Sequence, residues 1–329
     1  MRDLFEGLEL GKATRDAYGE ALRDLGHEHQ DIVVLDADLA KSTKSWTFGA
    51  EFPDRFFNVG IQEANMVGMA GGLAMAGKVP FISSFACFVI LKGFDQLRMA
   101  VSYPNLNVKI AGSHQGISVG EDGTSQQAVE DVALACSLPN VVVVVPADEH
   151  ETRAVVKAAY AHHGPVYIRT GRPSAPLVHD SEPEFVFGRA KRLREGTDLT
   201  IIANGLLVGA ALVAHDRLAE EGIAARVVNM ATVKPLDVAE VESAARETGA
   251  IVTAEEHLLH GGLGSVVAQA VVANHPVPME FVGLDDTYAE SGEPAALLRK
   301  YGLTAAEIVA AARRAIDRKG AVAPDRVVG

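Results

Sequence analysis

The sequence predicts an α/β protein in which a doubly wound parallel sheet is followed by a second, smaller α/β domain. Three observations point there. Short β-branched runs alternate with helical patterns along most of the chain, as in sheets whose strands are buried on both faces. The composition is 48% hydrophobic but only 6% aromatic, so the interior is aliphatic. The length of 329 residues, at roughly 150 per domain, suits two domains.

The expected strands of the first domain are 32–35, 56–59, 79–82, 107–110, 141–145 and 166–168. Helical patterns lie between them at 14–25, 62–76, 93–101, 128–137 and 149–162. The five valines Val141 to Val145, stopped by Pro146, read as a central strand feeding a loop at its carboxyl end, the edge where such folds bind ligands. From Arg172 to Lys191 the pattern lapses into prolines and charges and reads as a linker. The domains are therefore set at residues 1–185 and 186–329. Strands expected in the second are 199–202, 225–228, 250–252 and 279–282, with helices at 208–221, 238–248, 264–273 and 305–318.

A formal charge of −13, from 30 basic and 43 acidic side chains, disfavours nucleic acid and anionic membranes as partners. Cys87 and Cys136, each in an apolar run, do not suggest a disulfide framework, and the charged N-terminus does not resemble a signal peptide. A cytoplasmic location is expected. Two glycine motifs are set aside. Gly72 to Lys78 has phosphate-loop spacing but ends a helix and precedes a strand, and Gly261-Gly-Leu-Gly264 lacks a third glycine at Val267.

Glu63 is different in kind. It opens a helix whose next fourteen residues carry no charge, so its carboxylate either meets helix-terminal N–H groups or has a raised pKa and exchanges protons with a ligand. Phe85 and Phe88, at the end of the next strand, suit either core packing or a ring-binding wall. The stretch Ser113 to Gln127 combines His114, the acids Glu121 and Asp122, and several glycines. It reads as an ordinary polar loop or as one that moves protons and binds hydroxyls.

Taken together, these segments resemble the carboxyl-terminal half of the transketolase family of thiamine-diphosphate enzymes. The matching blocks occur in family order: Ala13-Thr-Arg15, Leu35-Asp-Ala-Asp38, the Glu63 segment, Phe85-Ala-Cys-Phe88, Phe94 to Ala100, Gly120-Glu-Asp-Gly123 and Glu255 to Gly262. The resemblance implies a pyrimidine-binding domain over about residues 10–175 and the family's C-terminal domain after it. It makes Glu63 the glutamate that activates thiamine diphosphate through the aminopyrimidine, places Phe85 and Phe88 against that ring, and sets Asp38 near the cofactor. Arg15, Ser42, His114 and Arg172 match sugar-phosphate ligands, with Arg169 nearby. Asp122 matches the acid that recognises a donor hydroxyl. Gln126 stands where some members carry a catalytic histidine, and Leu91 makes the ring pocket less aromatic.

Family members bind Mg²⁺ and the diphosphate through a Gly-Asp-Gly motif, and none occurs here. The expectation is a split enzyme: an amino-terminal partner subunit carries that motif and joins this chain in a two-plus-two heterotetramer. The implied reaction transfers a two-carbon ketol unit from a ketose phosphate to an aldose phosphate, a step of pentose-phosphate type. Rival readings are a transketolase subunit for apulose 4-phosphate or a sulfo-sugar, the beta subunit of a 2-oxo acid dehydrogenase, and a non-catalytic homologue. The C-terminal domain reads as packing and subunit contact.

Overall fold

The computed structural model describes residues 1–322; the remainder of the expected second domain lies outside the described residues. A seven-stranded sheet runs in the spatial order Thr232–Lys234, Val142–Val144, Val166–Arg169, Lys109–Ser113, Val79–Phe85, Ile32–Asp36, Phe56–Asn58. All neighbours are parallel except the first pair. Thr14–Glu28 and Glu149–Ala161 cover one face, with Leu22, Phe81, Val155 and Ile168 in that core. Glu63–Met75, Ala86–Gln96 and Asp131–Ser137 cover the other, around Met66, Ile90, Ile110 and Val132.

The second sheet runs Met279–Leu284, Ile251–Leu258, Leu199–Ala203, Ala225–Asn229 in parallel and is closed by antiparallel Lys191–Arg194. Helices Leu207–Glu220 and Ala305–Val322 lie on one face, Val238–Thr248 and Leu263–Asn274 on the other. The halves exchange elements. Thr232–Lys234 completes the first sheet, while Leu4 and Phe5 pack into the core of the second half.

Four local expectations change. The helix expected from Gly93 begins at Ala86 and continues from Leu97 as a π-helical turn, because a continuous apolar run does not distinguish strand from helix. The helix expected from Ala128 begins at Asp131, since Ala128 bridges to Gln115 and Gly116. The strand expected to end at Val252 runs through Glu255, Glu256 and His257, all buried. Within the linker, Ser174–Pro176 pairs antiparallel with Leu10–Ala13. Cys87 and Cys136 are separate thiols, and no helix among the described residues is long and apolar enough to cross a membrane.

Candidate active site

Parallel pairing puts the carboxyl ends of the first sheet's strands on one edge, and the loops that leave that edge carry the polar residues. Asp36 ends one strand and is fully buried. Its carboxylate accepts from Leu39 N–H at 2.6 Å and from the hydroxyls of Thr43 and Ser45 at 2.8 Å each. Burial raises its pKa against the opposing pull of these bonds. They shape the loop that presents Asp38, at φ +68°, and Ser42. Asn58 Nδ2 donates to Asp38 Oδ1 at 3.0 Å, and Asp38, Lys41, Ser42, Trp46 and Asn58 line a cavity of about 290 Å³.

Glu63 opens its helix only 2% exposed. Its partners are distant for a buried carboxylate: Ser84 Oγ donates to Oε1 at 3.3 Å and Lys92 Nζ to Oε2 at 3.5 Å. The acid thus keeps accepting capacity where a ring nitrogen could use it. Lys92 Nζ also sits 4.3 Å above the Phe88 ring, and Phe88 stacks on Phe85 with centroids 5.6 Å apart. An acceptor beside stacked aromatic rings suits a flat heteroaromatic ligand.

Phe85 stacks in turn on His114, centroids 3.7 Å apart. His114 follows its strand at φ +59°. Arg15 Nη1 donates to His114 Nε2 at 3.0 Å, so Nε2 holds the lone pair, and Nδ1–H donates to Ser113 Oγ at 2.8 Å. Burial, and then the charges of Arg15, Arg172 and Lys44, push the ring's pKa down to about 3. Arg15 also donates to the Ser42 carbonyl at 3.1 Å, and its buried Nε has no partner among the described residues. Of the cations around this neutral histidine, Lys44 is paired with Asp16 at 2.9 Å and Arg172 with Glu121, which leaves Arg15 as the guanidinium with donors to spare for an anion.

Arg172 stands at the rim, donating to the Val119 carbonyl and to Glu121 at 2.9 Å, with Asp122 at 3.9 Å. Gln126 lies on the same loop, its Oε1 accepting from Ser125 Oγ at 2.6 Å. Arg169 departs from expectation. Its guanidinium is 1% exposed and forks onto Asp131 at 2.7 and 2.8 Å, while Tyr167 donates to the same acid at 2.5 Å. Its further N–H contacts go to the carbonyls of Ala128 and Glu256, and with the guanidinium buried among these protein acceptors it leaves the ligand set. Reading the sequence missed Asp36, Ser84 and Lys92 as neighbours of the site. Asp36 had a visible signal, an acid closing a β-branched strand.

Residues 11–177 match the transketolase pyrimidine-binding domain and residues 188–308 the transketolase C-terminal domain. The chain belongs to the transketolase family. A solved split-gene transketolase, described as an inactive beta4 tetramer, is 51% identical with a TM-score of 0.88, covering 94% of this chain and all of that one. The 6-deoxy-6-sulfo-D-fructose transketolase subunit of Clostridium sp. (strain MSTE9) is 43% identical over 93% of this chain and 95% of its own length. Human transketolase is 39% identical over 93% of this chain but only 49% of the human protein. The transketolase resemblance read from Glu63, the phenylalanine pair and the Gly120-Glu-Asp-Gly123 loop therefore holds, as does the two-part α/β fold.

Proposed function

We propose that this chain is the carboxyl-terminal subunit of a two-chain transketolase and transfers a two-carbon ketol unit between sugar phosphates. One relationship carries the reading: a continuous contact path from Lys92 and Glu63 through Phe88 and Phe85 to His114 and Arg15. It joins a ring-binding end to an anion-binding end. The spare accepting capacity of Glu63 and the aromatic pair fit the aminopyrimidine of thiamine diphosphate. When bound, that cofactor supplies the electron sink for C–C bond cleavage.

The protein's own groups do the rest. Glu63 holds or shares a proton at a ring nitrogen in a site from which water is excluded. Phe85 and Phe88 fix the ring plane, and Asp38 lies on the cofactor side. Arg15, Ser42 and Arg172 hold the substrate phosphate, for which planar guanidinium groups are suited. His114 stays neutral, so once Arg15 turns to phosphate its Nε2 accepts from a substrate hydroxyl. Asp122 accepts from a donor hydroxyl, and Gln126 hydrogen-bonds where a proton-carrying histidine would otherwise stand.

Mg²⁺ and the diphosphate fall to an amino-terminal partner bearing Gly-Asp-Gly, in a two-plus-two heterotetramer in the cytoplasm. The full-length correspondence to the split chains, against half of the human enzyme, supports that division. So does the exposure of apolar side chains on or next to the helix Glu63–Met75 (Ile61, Met69, Met75) and the segment Leu97–Ser102 (Met99, Tyr103). The Clostridium relative favours a second reading for the substrate, a sulfo-sugar in place of a common ketose phosphate. Mixing the chain with its partner, thiamine diphosphate and Mg²⁺ should give ketol transfer from a ketose phosphate or a sulfo-ketose. No transfer from any donor would overturn the proposal.

A further inference from the structure

The loop that carries Asp122 and Gln126 is held from the second domain. Glu256 is 2% exposed; its Oε1 accepts from Ser118 N–H at 2.6 Å and its Oε2 from Ser118 Oγ at 3.2 Å. Gly116 lies at φ +62°, where an added Cβ would collide with the Glu256 carboxylate, so backbone and acid are in direct contact. Further along, Thr124 Oγ1 donates to the Ala289 carbonyl at 2.6 Å and Gln127 Nε2 to the Glu290 carbonyl at 3.0 Å. Arg169 secures the clasp from below, with both terminal nitrogens on the Glu256 carbonyl at 3.1 Å. The neighbouring Glu255 does a different job: it accepts from Leu263 and Gly264 N–H and caps the helix Leu263–Asn274.

From this geometry we infer that Glu256 is a positioning residue for sugar-phosphate binding, holding the substrate loop from the C-terminal domain without touching substrate itself. The inference rests on the transketolase reading above. A buried carboxylate on a backbone N–H is a directional anchor, and its loss loosens the loop at Ser118, while the contacts described for Glu63, Phe85 and Phe88 do not involve Glu256.

The test compares Glu256→Ala and Glu256→Gln with the wild type in the complex reconstituted with the partner chain. For Glu256→Ala the KM for sugar phosphate should rise about tenfold, the order expected when a buried hydrogen-bonded carboxylate is lost. The apparent Kd for thiamine diphosphate should stay within about twofold, because binding changes at independent sites are near-additive. Glu256→Gln, whose amide oxygen still accepts from Ser118 N–H, should restore part of the KM. A parallel loss of cofactor affinity and KM would mark a purely structural role and overturn the inference. Hydrogen exchange on the chain itself provides a reading independent of turnover. Residues 115–127 should exchange faster in Glu256→Ala, and unchanged exchange would overturn the clasp even if the wild-type complex proved inactive. Inactive wild type with a loosened loop would instead count against the transketolase reading and retain the clasp.

Discussion

Arg15 and His114, 99 positions apart in the chain, meet with Nη1 3.0 Å from Nε2. A permanently charged donor therefore holds the histidine as a neutral acceptor, and a helix start is joined to the end of a distant strand. The arrangement keeps a fixed positive charge and a hydrogen-bond acceptor side by side.

Titration of His114 follows from this contact. Its ring should titrate near pH 3 by NMR, giving no ionisation in the pH–rate profile between about 5 and 9. An unfolded histidine takes up its proton near pH 6.5. Between that value and about 3 the unfolded chain thus binds the extra proton, so stability falls as pH drops through this window. His114→Asn should flatten that acid-side loss in urea midpoints measured from pH 7 to 4; an unchanged slope would assign it to other groups.

Glu63→Gln should fold, because the amide fills the same space and the carboxylate has only long partners. Ketol transfer in the reconstituted complex should drop by about 10² or more, the usual range for removing a positioned proton-transfer group. Activity equal to wild type, with circular dichroism unchanged, would remove Glu63 from the mechanism.

The two arginines at the end of one strand should separate cleanly. Arg169→Ala strands the buried Asp131 carboxylate and should cost about 3–5 kcal/mol of stability in denaturant titration. Arg172→Ala, at the rim, should shift stability by less than about 1 kcal/mol and act on KM for phosphorylated sugars. The reverse pattern would return Arg169 to the ligand set.

Asp36→Ala leaves an N–H and two hydroxyls without their common acceptor. A loss of about 3 kcal/mol is expected from the unfolding midpoint, with Asp36→Asn losing less because its amide oxygen still accepts. Loosening the loop should weaken cofactor binding through Asp38 and substrate binding through Ser42.

Much of this protein was determined by local pattern. The β-branched runs located the main parallel strands, and the uncharged stretch after Glu63 marked a buried helix with an acid at its head. The phenylalanine pair and the Gly120-Glu-Asp-Gly123 loop were legible because their chemistry lies in contiguous residues. Short edge elements such as Thr232–Lys234 were not, since three residues carry too little periodicity and their pairing partner lies far away in the chain.

Tertiary structure alone decided which charged groups are available. Arg169 and Arg172 are three positions apart, yet one faces Asp131 in the interior and the other reaches Glu121 at the rim. Glu255 and Glu256 are adjacent, but alternation along a buried strand sends one to a helix start and the other to Ser118, 138 positions away. Residue type and spacing set the periodicity of an element. The partner a side chain finds depends on long-range packing, and the cost of burying an unpaired charge then determines whether that side chain supports the fold or stays free to bind.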